Sequence, residues 1–140
     1  MDTSLTEIFP HDTETDVMHK INFMELTNWI NHLKYIKREL NNLIGLSEEG
    51  RRQEIEYVRI NKKFQKKSIE NDRLLQTLQY YLNSRRNINE CEDMQCDMAY
   101  VHEHESFRRR YLYHLEKYRG LKDEFFYKER SNLIAQKPTS

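Results

Sequence analysis

The apolar positions between residues 26 and 43 fix the reading of the chain. Leu26, Trp29, Leu33, Ile36, Leu40 and Leu43 follow alternating steps of three and four, which places them on one stripe of an α-helix, widened by Phe23, Ile30 and Ile44. Thr13 with Asp16 three residues on, or alternatively Thr15, supplies an N-cap, and Gly45 beside Ser47 reads as a stop followed by a new cap. The pattern predicts a first helix over about 16–45 and a very short link after it.

A second helix is predicted over about 47–83, with Glu48 and Glu49 near its positive end. Its core line is Tyr57, Ile60, Phe64, Leu75, Leu78 and Leu82, supported by Ile55, Val58, Ile69 and Leu74. Ser68 and Asn71 interrupt that line, so the middle of the helix faces water or meets polar groups from a neighbour. Asn87 with Glu90 resembles a capping box and opens a third helix over about 87–135, provided that Gly120 is tolerated inside it at about 1 kcal/mol relative to Ala.

Two short links between long helices force neighbouring, antiparallel packing. The expected fold is therefore all-α, an antiparallel up-down-up bundle of three long helices. Residues 1–14, with Pro10, form an arm without a period, 15–135 a single bundle domain, and 136–140 a frayed tail.

The third helix carries an unusual face. Asp97, Tyr100, His104, Phe107, Tyr111, His114, Tyr118, Leu121 and Phe125 recur at helical spacing, flanked by Met94, Met98, Val101, Leu112 and Leu115. Polar groups on a core-facing stripe must be hydrogen-bonded, since each one left unpaired costs about 1–3 kcal/mol. The expected partners are Asn28 and His32 on the first helix and Ser68, Asn71 and Asp72 on the second. The simpler consequence is a flank of Tyr and His with packed rings and hydrated tips. The sharper one is a metal or small-ligand site made by Asp97, His104, His114 and His32, because bundle cores host inward carboxylates and imidazoles.

Other metal patterns fail on geometry. His102 and His104 in the run His102-Glu103-His104-Glu105 diverge by about 200° on a helix and cannot share an ion. Asp16 and His19 have the right spacing, but only once. Cys91 and Cys96 lie five apart, which on one helix turns them about 140° from each other, so reduced, unbridged thiols are expected.

Composition narrows the function classes. Of 140 residues, 37% are hydrophobic and 33% charged, with 3 Gly and 2 Pro, a balance that suits long helices rather than a turn-rich β fold. Lys plus Arg (23) equal Asp plus Glu (23), so no global field steers the chain to nucleic acid or an anionic surface. A local patch of Lys62, Lys63, Lys66 and Lys67 leaves nucleic-acid binding as a secondary alternative, while Arg108 and Arg109 sit three and four residues from Glu105. No apolar run reaches the roughly 20 residues of a membrane span and the first residues lack a secretory pattern, which points to no membrane partner and a cytoplasmic location.

There is no Gly-rich phosphate loop or nucleophile elbow, and Ser106 near His102 and Glu103 matches a triad in residue type alone. The expectation is a non-catalytic interaction or scaffold protein without a cofactor or an identifiable small-molecule substrate. Its partner is a protein, self or other, met through the apolar end of the third helix at Leu121, Phe125, Phe126 and Leu133.

Overall fold

A computed structural model describes residues 7–49, 54–85, 88, 91 and 93–135. They form three helices, α1 (Glu14–Glu48), α2 (Ile55–Ser84) and α3 (Met94–Ala135), with no strand among the described residues. The up-down-up course follows from which side chains meet. Ile44 pairs with Asn61, Lys37 with Ser68 and Leu33 with Asn71, so α1 and α2 run antiparallel. Tyr57 pairs with Asn132, Asn71 with His114 and Tyr81 with His104, so α2 and α3 do likewise. The fold is the all-α three-helix bundle read from the apolar periods.

The predicted stripe of α1 is its buried face: Leu26, Trp29, Ile30, Leu33, Ile36, Leu40 and Leu43 join Tyr57, Ile60, Phe64, Leu74, Leu78 and Tyr81 of α2 and Tyr111, Leu115, Tyr118, Leu121 and Phe125 of α3 in one core. Thr13 caps α1 with Asp16 in a reciprocal box: Asp16 N–H donates to the Thr13 hydroxyl at 3.1 Å and Thr13 N–H to the Asp16 carboxylate at 3.0 Å. Residues 7–13 lie over the first turns of α1, where the Lys20 ammonium donates to the Glu7 carbonyl and the Asp12 carboxylate and sits 4.5 Å from the centre of the Phe9 ring.

The helix boundaries depart from expectation at both links. α1 continues through Gly45 to Glu48, because Ser47 is buried and its hydroxyl is used inside the helix. That hydroxyl donates to the Ile44 carbonyl at 2.8 Å and accepts from Asn61 at 2.7 Å, so it caps nothing, and α2 begins at Ile55 rather than near 47. α3 begins at Met94, with the Asp93 carboxylate accepting from the Cys96 N–H at 2.8 Å. The expected cap at Asn87 and Glu90 lies outside the described residues, as do residues 1–6 and 136–140. α3 is continuous through Gly120, where an added side chain would meet open space.

Starting α3 at Met94 also overturns the expected free thiols. Cys91 lies before the helix, where its backbone turns back with the N–H donating to the Ile88 carbonyl at 3.2 Å. Released from helical geometry, Cys91 forms a disulfide with Cys96, with Cα atoms 5.5 Å apart. The divergence of about 140° applied only if both residues were helical.

The extra length of α3, 42 residues against 30 in α2, does not lie at its apolar C-terminal end. The C-terminal turns of α3 run beside the start of α2, held by Lys128 to Glu54 and Glu56 at 2.9 and 3.0 Å and by Asn132 donating to the Tyr57 hydroxyl at 2.6 Å. It is the first turns of α3 that pass the end of α2 and lie against the start of α1, where His19 meets Asp97.

Candidate functional site

α1 and α3 are joined by a ladder of polar pairs. Glu25 meets His104, His32 meets Tyr111 and Glu39 meets Tyr118, each pair separated by 79 residues, so equal seven-residue steps on two parallel helices bring the same faces together at every second turn. His19 with Asp97, at 2.9 Å, forms a fourth rung at the open end. Trp29 lies between rungs, stacked on His104 and Tyr111 with ring centres 4.9 and 5.3 Å apart. The ladder is thus polar at its tips and aromatic along its wall.

The His104 rung has a direction fixed by its ends. An Arg can only donate and a carboxylate only accept. Arg85 donates to the Tyr81 hydroxyl at 2.7 Å, which leaves that hydroxyl's proton for His104 Nδ1 at 3.1 Å, and the Nε2–H of His104 then donates to Glu25 at 2.8 Å. Arg108 closes the far side, donating to both Glu25 oxygens at 3.2 and 2.5 Å. This assigns a neutral imidazole, in keeping with burial, which pushes the pKa of His104 below its usual value despite the Glu25 carboxylate. Burial also works to raise the Glu25 carboxyl, but the hydrogen bonds from Arg108 and His104 outweigh it and hold that group below the ordinary carboxylate range.

A second buried junction ties all three helices. The amide of Asn71 on α2 donates to the Leu33 carbonyl of α1 at 2.9 Å and accepts from His114 Nε2 of α3 at 2.8 Å. Burial lowers the pKa of His114 to about 4, helped by the nearby Lys67 ammonium, so this imidazole too is neutral. The interruption at Asn71 in the apolar line of α2 is therefore the mate of the His114 interruption in α3. Lower down, Tyr118 donates to Glu39, and Lys122 adds a bond to the same carboxylate at 2.7 Å; burial and that carboxylate push the phenol well above its usual pKa.

The predicted metal set is distributed rather than gathered. Asp97 is held by His19, His32 by Tyr111, His104 by Glu25 and Tyr81, and His114 by Asn71, each on its own level. Among the described residues, no three His, Cys, Asp or Glu side chains lie close enough to hold one ion. Of the partners expected for α3, Asn71 meets His114 and His32 meets Tyr111, whereas Asn28 is exposed and Ser68 and Asp72 both bind Lys37 of α1. Ser106, His102 and Glu103 do not assemble a triad, since Ser106 and both neighbours are exposed on the outer side.

Glu25, Glu39, Arg85 and Tyr81 were missed as ladder residues. Glu25 and Glu39 flank the apolar stripe of α1 and pass for surface charges. Their signal is the seven-residue step through His32, repeated by His104, Tyr111 and Tyr118.

Of the expected interaction residues, Leu121 and Phe125 belong to the core: Phe125 packs edge-on against Tyr57 and Phe64. They need no outside cover, because α2 runs alongside that end. Phe126 and Leu133 are exposed. In the lysine patch, Lys63 pairs with Glu124 at 3.2 Å and Lys67 with Glu70 at 2.7 Å, while Lys62 and Lys66 point to solvent. Glu70, Glu116 and Glu124 line the same groove as Lys63, Lys66, Lys67 and Lys117, so three carboxylates offset most of its positive charge. No helix among the described residues is long and apolar enough to cross a membrane. Neither a family model, nor a curated protein, nor a solved structure matches this chain.

Proposed function

We propose that this chain is a non-catalytic helical interaction module that self-associates through the end of the bundle where α3 closes beside the start of α2. One observation carries the reading: at this end Ile55 is 80% exposed, Tyr127 73%, Leu133 65% and Phe126 48%, with Ile134 exposed beside them. Phe126 and Leu133 are seven residues apart, as are Tyr127 and Ile134, so the four exposed side chains make two rows about 100° apart around α3. Large apolar side chains clustered in water mark an interaction surface more often than isolated ones do. Two copies meeting here face no long-range repulsion, because the formal net charge is zero.

Light scattering and sedimentation at rising concentration test the reading. A dimer or larger assembly is expected, and the double variant Phe126→Glu, Leu133→Glu returns a monomer with unchanged helical circular dichroism. A wild-type protein that stays monomeric at every concentration contradicts it.

The Cys91–Cys96 bond bears on location. Reducing compartments keep thiols free, so the bond favours an oxidising compartment over the cytoplasm expected from the amino-acid pattern. Alkylation of freshly lysed source cells, followed by mass measurement, distinguishes the two: an unmodified pair supports the first, two alkylated thiols the second.

A further inference from the structure

A second feature, independent of the self-association surface, lies at the opposite end. Where α3 passes the end of α2, a groove of about 330 Å³ opens between the first turns of α1 and α3, and three of its lining residues are Met18, Met94 and Met98. Met94 and Met98 are four residues apart on one helix face, and Met18 stands across from them on α1, next to the His19 that holds Asp97. Met94 is 76% exposed and Met98 51%, so these thioethers gain little from packing where they stand.

We infer that this groove binds a soft monovalent cation, copper(I), through the thioether sulfurs of Met18, Met94 and Met98. Thioethers are soft, uncharged donors that select copper(I) over zinc, calcium or magnesium. Methionine has three rotatable bonds, so thioethers lining one groove from two helices can adjust their sulfur positions toward a shared ion. The carboxylates of Asp93 and Asp97 line the same groove. Both are fixed in place, Asp93 accepting from the Cys96 N–H and Asp97 held by His19, and their negative charge draws a cation toward the sulfurs. The same two charges disfavour an apolar helix or peptide as occupant, since seating one there strips water from carboxylates without replacing it. Cys91 also lines the groove, but its sulfur is bonded to Cys96, which leaves the thioethers as the soft donors.

The test uses the full, disulfide-bonded chain labelled with ¹³C at the methionine methyls. Silver(I) serves as the redox-inert probe, and copper(I) is supplied anaerobically in competition with bicinchoninate. One equivalent of either ion is expected to shift the methyl signals of Met18, Met94 and Met98, while half-buried Met24, which does not line the groove, stays in place. The variant Met94→Leu, Met98→Leu keeps the helical signal and binds copper(I) about tenfold or more weakly. Absence of any shift, an equal shift at Met24, or a double variant that competes as well as the parent chain overturns the proposal.

Discussion

The two interfaces of α1 are built on different chemistry. Toward α2 it presents Leu33, Ile36, Leu40 and Leu43 to Tyr57, Ile60, Phe64 and Leu78, a contact made mostly of apolar volume, to which Asn61, Ser68 and Asn71 add hydrogen bonds. Toward α3 it presents Glu25, His32 and Glu39 to His104, Tyr111 and Tyr118, a contact made of hydrogen bonds whose polarity depends on protonation. Apolar burial tolerates changes of pH and of register, whereas a directional polar ladder fixes register and responds to acid. The first interface supplies stability; the second specifies where α3 sits along α1.

The sharpest break of this contrast is a cavity in the apolar interface. Leu33→Ala removes a side chain with no exposure and is expected to cost about 3–4 kcal/mol in urea unfolding, a larger loss than any single ladder substitution.

Acid acts on the polar contacts of α3, both its ladder to α1 and the His114–Asn71 junction with α2. The unfolded chain protonates its histidines near 6.5, whereas His114 in the fold titrates at about 4. Between those values the unfolded state holds a proton that the folded state lacks, so stability is complete above about 6.5 and falls as pH drops toward 4, by up to about 3 kcal/mol. His104 and His32, also lowered by burial, act in the same direction, and the lowered carboxyls of Glu25 and Glu39 extend the loss at still lower pH. Urea midpoints measured at several pH values check this, and His114→Gln should flatten the dependence between about 6.5 and 4.

Within the ladder, Glu25→Gln removes the charge that Arg108 and His104 share. The expected cost is about 1–2 kcal/mol, held toward the lower figure because Glu25 keeps a third of its side chain in water. The variant should melt earlier than the parent at neutral pH and lose part of that difference in high salt. At the small end, Lys63→Ala breaks an exposed pair with Glu124 and should change the unfolding free energy by less than about 0.5 kcal/mol.

How much of this was legible in the amino-acid pattern follows from the same contrast. The apolar interface was readable because Leu26 to Leu43 repeat at a period that only a helix explains. The His114–Asn71 junction was half readable, since two interruptions on facing helices called for each other. The ladder was not, because Glu25 and Glu39 lie beside an apolar stripe, where a charge looks solvated until α3 is laid against it. Local cues misled at the links. Gly45 and Ser47 have the composition of a boundary, yet Ser47 bonds back to Ile44 and across to Asn61. Cys91 falls within the helical period by pattern, yet α3 starts three residues after it.

The most direct test of a stable α1–α2 pair with α3 held by a pH-sensitive ladder is native-state hydrogen exchange, with protection factors compared at pH 7 and pH 5. The expected result is strong protection in the central turns of α1 and α2 at both pH values, with protection in α3 around His104 to Tyr118 lower at pH 7 and falling further at pH 5. Equal protection of all three helices, lost in parallel on acidification, would contradict the distinction between the two interfaces.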